Sequence, residues 1–159
     1  MRVKPLFIDP SPRKFRKFTA RYKSSTQQNY KGVKIRIKEN SVRLRLTQNE
    51  VDEFNRNGHY EQRCCFGPSP TGQLTYGLTK KDGISELSAH FEDGHVRVYV
   101  PASMGEKWAT TEEVGLENHQ RLYDGSEMRI LIEKDFQCLK PRPEEDESDN
   151  FPNPEAVQM

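Results

Sequence analysis

The chain has 159 residues, 31% of them charged and 33% hydrophobic, which is enough for one compact domain. No run of about 18 apolar residues occurs and the N-terminus has no apolar signal segment, so we expect neither a membrane-spanning helix nor secretion. Three cysteines, two of them adjacent (Cys64 and Cys65), do not form a disulfide framework. They predict a reducing, cytoplasmic setting.

Charge is strongly segregated along the chain. Residues 1–32 hold nine Lys or Arg and one acid, whereas residues 143–159 hold six acids and no cation. We therefore expect a basic head (1–32), a β-rich domain (33–140) and an acidic, Pro-rich tail (141–159). The head has no helix or strand periodicity, which predicts disorder. The alternatives are a nucleic-acid-binding arm and a segment outside the natural protein, whose start would then be Val33.

The first half of the domain alternates apolar and polar residues. Residues 34–38 and 42–46 predict a β-hairpin. Thr47 followed by Glu50 has the spacing of a capping box, which predicts a helix over residues 47–56 that ends before Gly58. Two further strands are expected, over residues 59–66 and around residues 74–78.

The second half repeats this order of elements. Asp93-Gly94 is a hairpin signal between two alternating segments, and Pro101 suits the first turn of a helix that carries Trp108. The expected elements are strands over 84–92 and 96–100, a helix over 101–109, and strands over 114–120 and around 128–132.

A shift of 54 positions aligns the apolar pattern of the two halves without a gap. Phe54 then falls on Trp108, and the strand positions of the first half fall on those of the second. We infer a duplicated β-β-α-β-β unit, with repeats at about 33–83 and 84–137. The fold class predicted is mainly β (α+β), a pseudo-twofold small β-barrel or meander with two short helices, because each unit alone is too small for a good core.

Two resemblances follow from particular stretches. Residues 33–51, Val-Lys-Ile-Arg-Ile-Lys-Glu-Asn-Ser-Val-Arg-Leu-Arg-Leu-Thr-Gln-Asn-Glu-Val, resemble the start of AbrB/MazE-type swapped-hairpin domains, and residues 96–104 are similar to their strand-Pro-helix step. That resemblance implies a barrel formed from two halves. Residues 35–48 and 133–154 more closely resemble a small bacterial domain family of unknown function, which implies no activity.

The outward face of the first hairpin is the strongest candidate binding surface. Like charges across a strand pair repel one another, so this face favours an anion as its partner. DNA phosphates, a phosphorylated ligand, a protein partner and the chain's own acidic tail all have suitable charge. The tail would dock through Phe151 or stay disordered. The candidate residues are Lys34, Arg36, Lys38, Arg43 and Arg45.

No metal, cofactor or catalytic group is predicted. The histidines and cysteines show no metal-ligand spacing, and no phosphate loop or dinucleotide fingerprint occurs. Cys64 is expected to be a small core residue. Cys138 has no base assigned to it and is also expected to be buried.

The predicted role is a non-catalytic cytoplasmic binding or accessory module. A protein partner or the acidic tail is favoured over nucleic acid, and no membrane partner is expected. The first alternative is an AbrB-like nucleic-acid binder that uses Arg36, Arg43, Arg45 and Arg97. The second is a small-molecule enzyme with a groove between the repeats.

Overall fold

The computed structural model describes residues 32–69, 71–140 and 145–158, so the predicted head (1–32) lies almost entirely outside the described residues. The first half contains β1 (Lys34–Ile37), β2 (Ser41–Leu46), α1 (Gln48–Asn57), β3 (His59–Cys65) and β4 (Gln73–Lys81). The second half contains β5 (Ser88–Glu92), β6 (His95–Pro101), α2 (Ala102–Thr110), β7 (Gly115–Arg121) and β8 (Glu127–Lys134). A short 3-10 helix follows at Pro154–Gln158.

The strands form two four-stranded sheets, and each sheet takes one hairpin from each half. Sheet A has the order β1-β2-β8-β7 and sheet B the order β3-β4-β6-β5. The central pairs, β2 with β8 and β4 with β6, are parallel, and all the hairpin pairs are antiparallel. The sheet-rich fold with two helices is therefore confirmed. A closed barrel is not confirmed, since the ladders of the described strands end at β1, β7, β3 and β5.

The strand register of the two halves follows the 54-residue offset. The pairs Lys34 with Arg45 and Ser88 with Tyr99 are 54 residues apart, as are the equivalent pairs at the two parallel junctions. Strand β7 departs from this offset and follows β3 by 56 residues. Gly58 ends α1 in the left-handed conformation and β3 begins at the next residue, whereas α2 ends without a glycine and four residues precede β7.

The core lies between the sheets and the two helices. The rings of Phe54 in α1 and Trp108 in α2 meet edge to face, with centroids 6.2 Å apart, and neither is exposed. The alternation that predicted the strands is confirmed by the fully buried side chains that surround this pair: Leu44, Leu46, Leu78, Val98, Val100, Ile130 and Ile132.

One predicted strand is shorter than expected. Residues 84–87 are not part of β5, although Leu87 is buried. Leu87 is buried without belonging to a ladder, and its carbonyl accepts a hydrogen bond from the Asn118 side chain (Nδ2–O 2.8 Å).

The described part of the acidic tail returns to the body. The Phe151 N–H donates to the Asp135 carbonyl (2.8 Å), and the Gln137 N–H donates to the Phe151 carbonyl (2.9 Å). The centroids of the Phe151 and Phe136 rings are 6.0 Å apart. Lys134 Nζ lies 5.3 Å from the centroid of the Phe151 ring. The described part of the tail therefore docks on the body of the protein, and Phe151 anchors it there.

The N-terminus of α1 holds a buried carboxylate. Glu50 is 5% exposed, and its Oε2 accepts the Thr47 N–H at 2.8 Å, as the capping box predicts. The Tyr60 hydroxyl donates to Glu50 Oε1 (3.4 Å). Burial raises the pKa of Glu50 against the opposing effect of these hydrogen bonds. Burial and the Glu50 charge raise the pKa of Tyr60 to about 12.

This carboxylate predicts a pH dependence of stability. A carboxyl with a raised folded pKa stabilises the fold below its unfolded pKa, and this contribution is lost as the pH rises through the folded pKa. Glu50→Gln keeps the acceptor without the charge, so we expect its unfolding free energy to lie within about 1 kcal/mol of the wild type at pH 7. Urea titrations between pH 4 and 7 should show that the advantage of the wild type over the variant shrinks as the pH rises. A constant difference would contradict the assignment.

Candidate basic pocket on sheet A

The five cations predicted from the first hairpin belong to the outward side of sheet A. The register places Lys34 opposite Arg45 and Arg36 opposite Arg43, so like charges face each other across the β1–β2 pair. Such pairs destabilise a sheet unless anions lie beside them. The described residues supply these anions unevenly along the face.

Glu133 of β8 neutralises the middle of the face. Its Oε2 accepts a hydrogen bond from Arg45 Nε (3.2 Å) and lies 3.7 Å from Arg43 Nε. Strand β8 runs parallel to β2, with Glu133 in register with Arg45. Sequence reasoning missed Glu133 because it does not predict which strand lies beside β2.

Lys34 belongs to the junction with the tail. Its Nζ lies 2.9 Å from Asp135 Oδ2 and 3.6 Å from Glu145 Oε2. Burial acts to lower the pKa of Lys34, but the hydrogen bonds and charges of the two carboxylates outweigh it and raise the pKa. One acidic side chain of the tail therefore already binds at the end of this face.

A shallow cavity of about 230 Å³ lies at the other end of the face. Arg36 and Lys38 form no ion pair with any described residue, whereas Arg129 Nε donates to Glu117 Oε1 at 2.6 Å. This bond raises the pKa of Arg129 and lowers that of Glu117. Arg129 was not predicted, although the alternation of β8 places it on this side. The lining residues are Arg36, Lys38, Ser41, Val42, Arg43, Arg129 and Leu131.

By the 54-residue offset, four lining residues of this pocket correspond to lining residues of a second pocket that has a different charge. A cavity of about 240 Å³ on sheet B is lined by His90, Glu92, Asp93, His95, Arg97 and Tyr99. By the 54-residue offset His90 replaces Arg36, and Glu92 replaces Lys38. Arg97 lies in sheet B, 3.8 Å from Glu61 Oε2, so the predicted quartet of arginines is divided between two sheets.

The cysteines differ from their predicted surroundings. Cys64 and Cys138 are both exposed, which corrects the expectation that they are buried, and Cys65 is exposed as well. Cys64 lies near the end of the edge strand β3, beyond the core, and Cys138 follows the last strand. Within the described ranges no group of three or more His, Cys, Asp or Glu could hold a metal ion. No helix in the same ranges is long and apolar enough to cross a membrane.

The family model of a family of unknown function (DUF7009) matches residues 33–155. The match covers most of the chain, and the chain therefore belongs to this family. The comparisons with curated proteins and with solved structures give no match. The predicted resemblance to an uncharacterised domain family is confirmed, while the resemblance to AbrB/MazE-type domains stays a prediction.

Proposed function

We propose that this member of the DUF7009 family is a non-catalytic binding module that holds acidic side chains of a partner protein on the outer face of sheet A. The observation that carries the proposal is that some cations of this face have a carboxylate partner and others have none among the described residues. Lys34, Arg43, Arg45 and Arg129 each have a carboxylate partner. Arg36 and Lys38, side by side at the pocket, have none among the described residues.

A carboxylate partner suits this face better than a nucleic acid. Glu117 and Glu133 lie among the arginines and would repel a continuous row of phosphates. A few carboxylates placed at Arg36 and Lys38 would avoid that repulsion. The contact of Glu145 with Lys34 supports the same chemistry at the other end of the face.

An enzyme with a groove between the repeats has less support. A cavity of about 470 Å³ is lined by residues of α2, β7 and the segment between them, all from the second half. It is therefore not a groove between the halves. The cytoplasm of a bacterium is the proposed setting, with which three cysteines that form no disulfide are compatible.

Charge reversal at the pocket tests the proposal. We expect Arg36→Glu to weaken binding of a fluorescein-labelled octaglutamate peptide at least about tenfold, because an attraction becomes a repulsion. The measurement is fluorescence anisotropy at low and physiological salt, with the full chain. Arg63→Glu is the matched control, since Arg63 is also an exposed arginine on an edge strand, in sheet B. It should retain the wild-type affinity within about twofold.

A mixed DNA duplex is the competing probe. Duplex binding that is tighter than peptide binding, falls steeply with salt and is lost in Arg36→Glu would replace the acidic protein with a nucleic acid. Absence of octaglutamate binding at low salt, or equal loss in the Arg63→Glu control, would contradict the proposed function.

A further inference from the structure

The outer edge of β1 carries main-chain groups without partners in the described residues. The Lys38 N–H donates to the Ser41 carbonyl (3.1 Å), and the Ser41 N–H donates to the Lys38 carbonyl (3.0 Å), so this is a hydrogen-bonded pair. Antiparallel ladders alternate such pairs with pairs whose main-chain groups point away from the partner strand. Ile35 and Ile37 therefore direct their N–H and C=O groups to the open edge.

The equivalent edge of β5 is closed at Ala89 by a side chain of β7, and the residue before β5 is bound by a second one. Gln120 Oε1 accepts the Ala89 N–H (2.7 Å), and Gln120 Nε2 donates to the Ala89 carbonyl (3.2 Å). Asn118 Nδ2 donates to the Leu87 carbonyl (2.8 Å). The Gln120 amide thus takes the place of a neighbouring strand at the seam between β5 and β7.

In the first half, Ile35 lacks among the described residues the closure that Ala89 has, although the Gln62 side chain lies against Gly32 at the start of the seam. Ala89 corresponds to Ile35 by the 54-residue offset, and Gln120 corresponds to Cys64 by the 56-residue offset of β7 from β3. A cysteine side chain cannot supply the donor and the acceptor that the glutamine amide gives. Cys64 is exposed and Ile37 is 61% exposed, so the β1 edge is accessible at its C-terminal end.

The charge beside this edge selects the chemistry of its occupant. A strand added to β1 would place alternate side chains beside Arg36 and Lys38 on the outward face, where carboxylates are favoured. Its other side chains would lie beside Ile37 and are expected to be apolar. Residues 1–32 of the chain carry nine cations and one acid, so their charge disfavours them at this place.

We propose that an extended segment of a partner protein, alternating acidic and apolar residues, adds to β1 as the fifth strand of sheet A. The main chain of Ile35 and Ile37 supplies the hydrogen bonds, and Arg36 and Lys38 bind the acids. This inference rests on the proposed function and adds a backbone-directed mode of recognition to it. Edge strands that lack a closing partner bind peptides in this way.

The test separates the main-chain hydrogen bonds from the charges. The probe is a fluorescein-labelled peptide that alternates valine with glutamate over eight residues, and its control has every second amide N-methylated on the edge that faces β1. Ile37→Pro removes an outward N–H and leaves the β1–β2 ladder intact. We expect both changes to weaken binding to the full chain about fivefold to tenfold. Phe91→Pro, at the equivalent position of β5, should bind as the wild type does within about twofold.

The outcomes distinguish the two proposals. Equal binding of the methylated and unmethylated peptides to the wild type would overturn strand addition even if Ile37→Pro failed to fold. If Arg36→Glu still weakened octaglutamate binding at least about tenfold in that case, the proposed function would stand alone. Weakening by Phe91→Pro as large as that by Ile37→Pro would also overturn strand addition. Failure of both the alternating peptide and octaglutamate to bind would overturn both proposals.

Discussion

Replacement of Trp108 with alanine is expected to lower the free energy of unfolding by about 3–5 kcal/mol. The ring is fully buried, contacts Phe54 edge to face, and its Nε1 donates to the Val114 carbonyl at 3.3 Å. The alanine variant therefore loses apolar burial, leaves a cavity between α1 and α2, and removes the donor to Val114. Urea denaturation followed by circular dichroism measures the change.

Phe54 occupies the equivalent position in the first half, so a second single variant and a double variant extend this experiment. Phe54→Ala removes the other ring, and the double variant should lose less than the two single losses added together, with a coupling of about 0.5–1.5 kcal/mol. Tyr123→Ala is the control, because Tyr123 is fully exposed and should change stability by less than about 0.5 kcal/mol. A loss below about 1.5 kcal/mol for Trp108→Ala would show that the two helices do not share one core.

Local patterns predict the elements well because each pattern expresses local chemistry. The capping spacing of Thr47 and Glu50 appears as an N–H to carboxylate hydrogen bond, and Gly58 ends α1 with φ of 75°. Alternation identifies the hairpins because one face of each is buried. The 54-residue repeat is predictable for the same reason, since both copies must bury the same face.

The pairing of distant strands is not contained in those patterns. Strand β2 lies beside β8, and their paired residues Ser41 and Arg129 are far apart in sequence. Periodicity alone would allow any alternating strand to lie beside β2. Tertiary packing determines that β8 takes this position. The exchange of hairpins between the halves brings Glu133 and Arg129 to the basic face. Both residues were for that reason absent from the predicted site.

The five predicted cations lie together on the first hairpin, as the alternation requires, but their charges are paired unevenly. Five cations were expected to act alike, whereas Lys34 pairs with Asp135, and Arg43 and Arg45 share Glu133. Ion pairing is a three-dimensional property that composition does not reveal. Arg36 and Lys38 have no ion-pair partner among the described residues. The proposed function rests on these two cations.

Removal of the tail from residue 143 onward is expected to lower the unfolding free energy by about 2–4 kcal/mol. The cost arises because Phe151 leaves Phe136 and Lys134, and the buried Asn150 no longer binds the Phe136 carbonyl through Nδ2 (3.4 Å). The Gln48 N–H also loses the Asp149 carbonyl, at 3.0 Å, as its acceptor. Thermal denaturation and amide exchange at Gln48 measure the effect.

A shorter truncation separates anchoring from length. A chain that stops after Pro154 keeps Phe151 and should lose less than about 0.5 kcal/mol, and equal losses for the two truncations would contradict the anchoring role of Phe151.

The longer truncation also removes Glu145 from Lys34, which leaves Asp135 as the remaining described carboxylate on that lysine. The basic face then gains positive charge, so the same variant should bind octaglutamate about twofold more tightly while it is less stable. Lower stability together with tighter octaglutamate binding is the result expected if the tail both anchors the fold and partly neutralises the basic face.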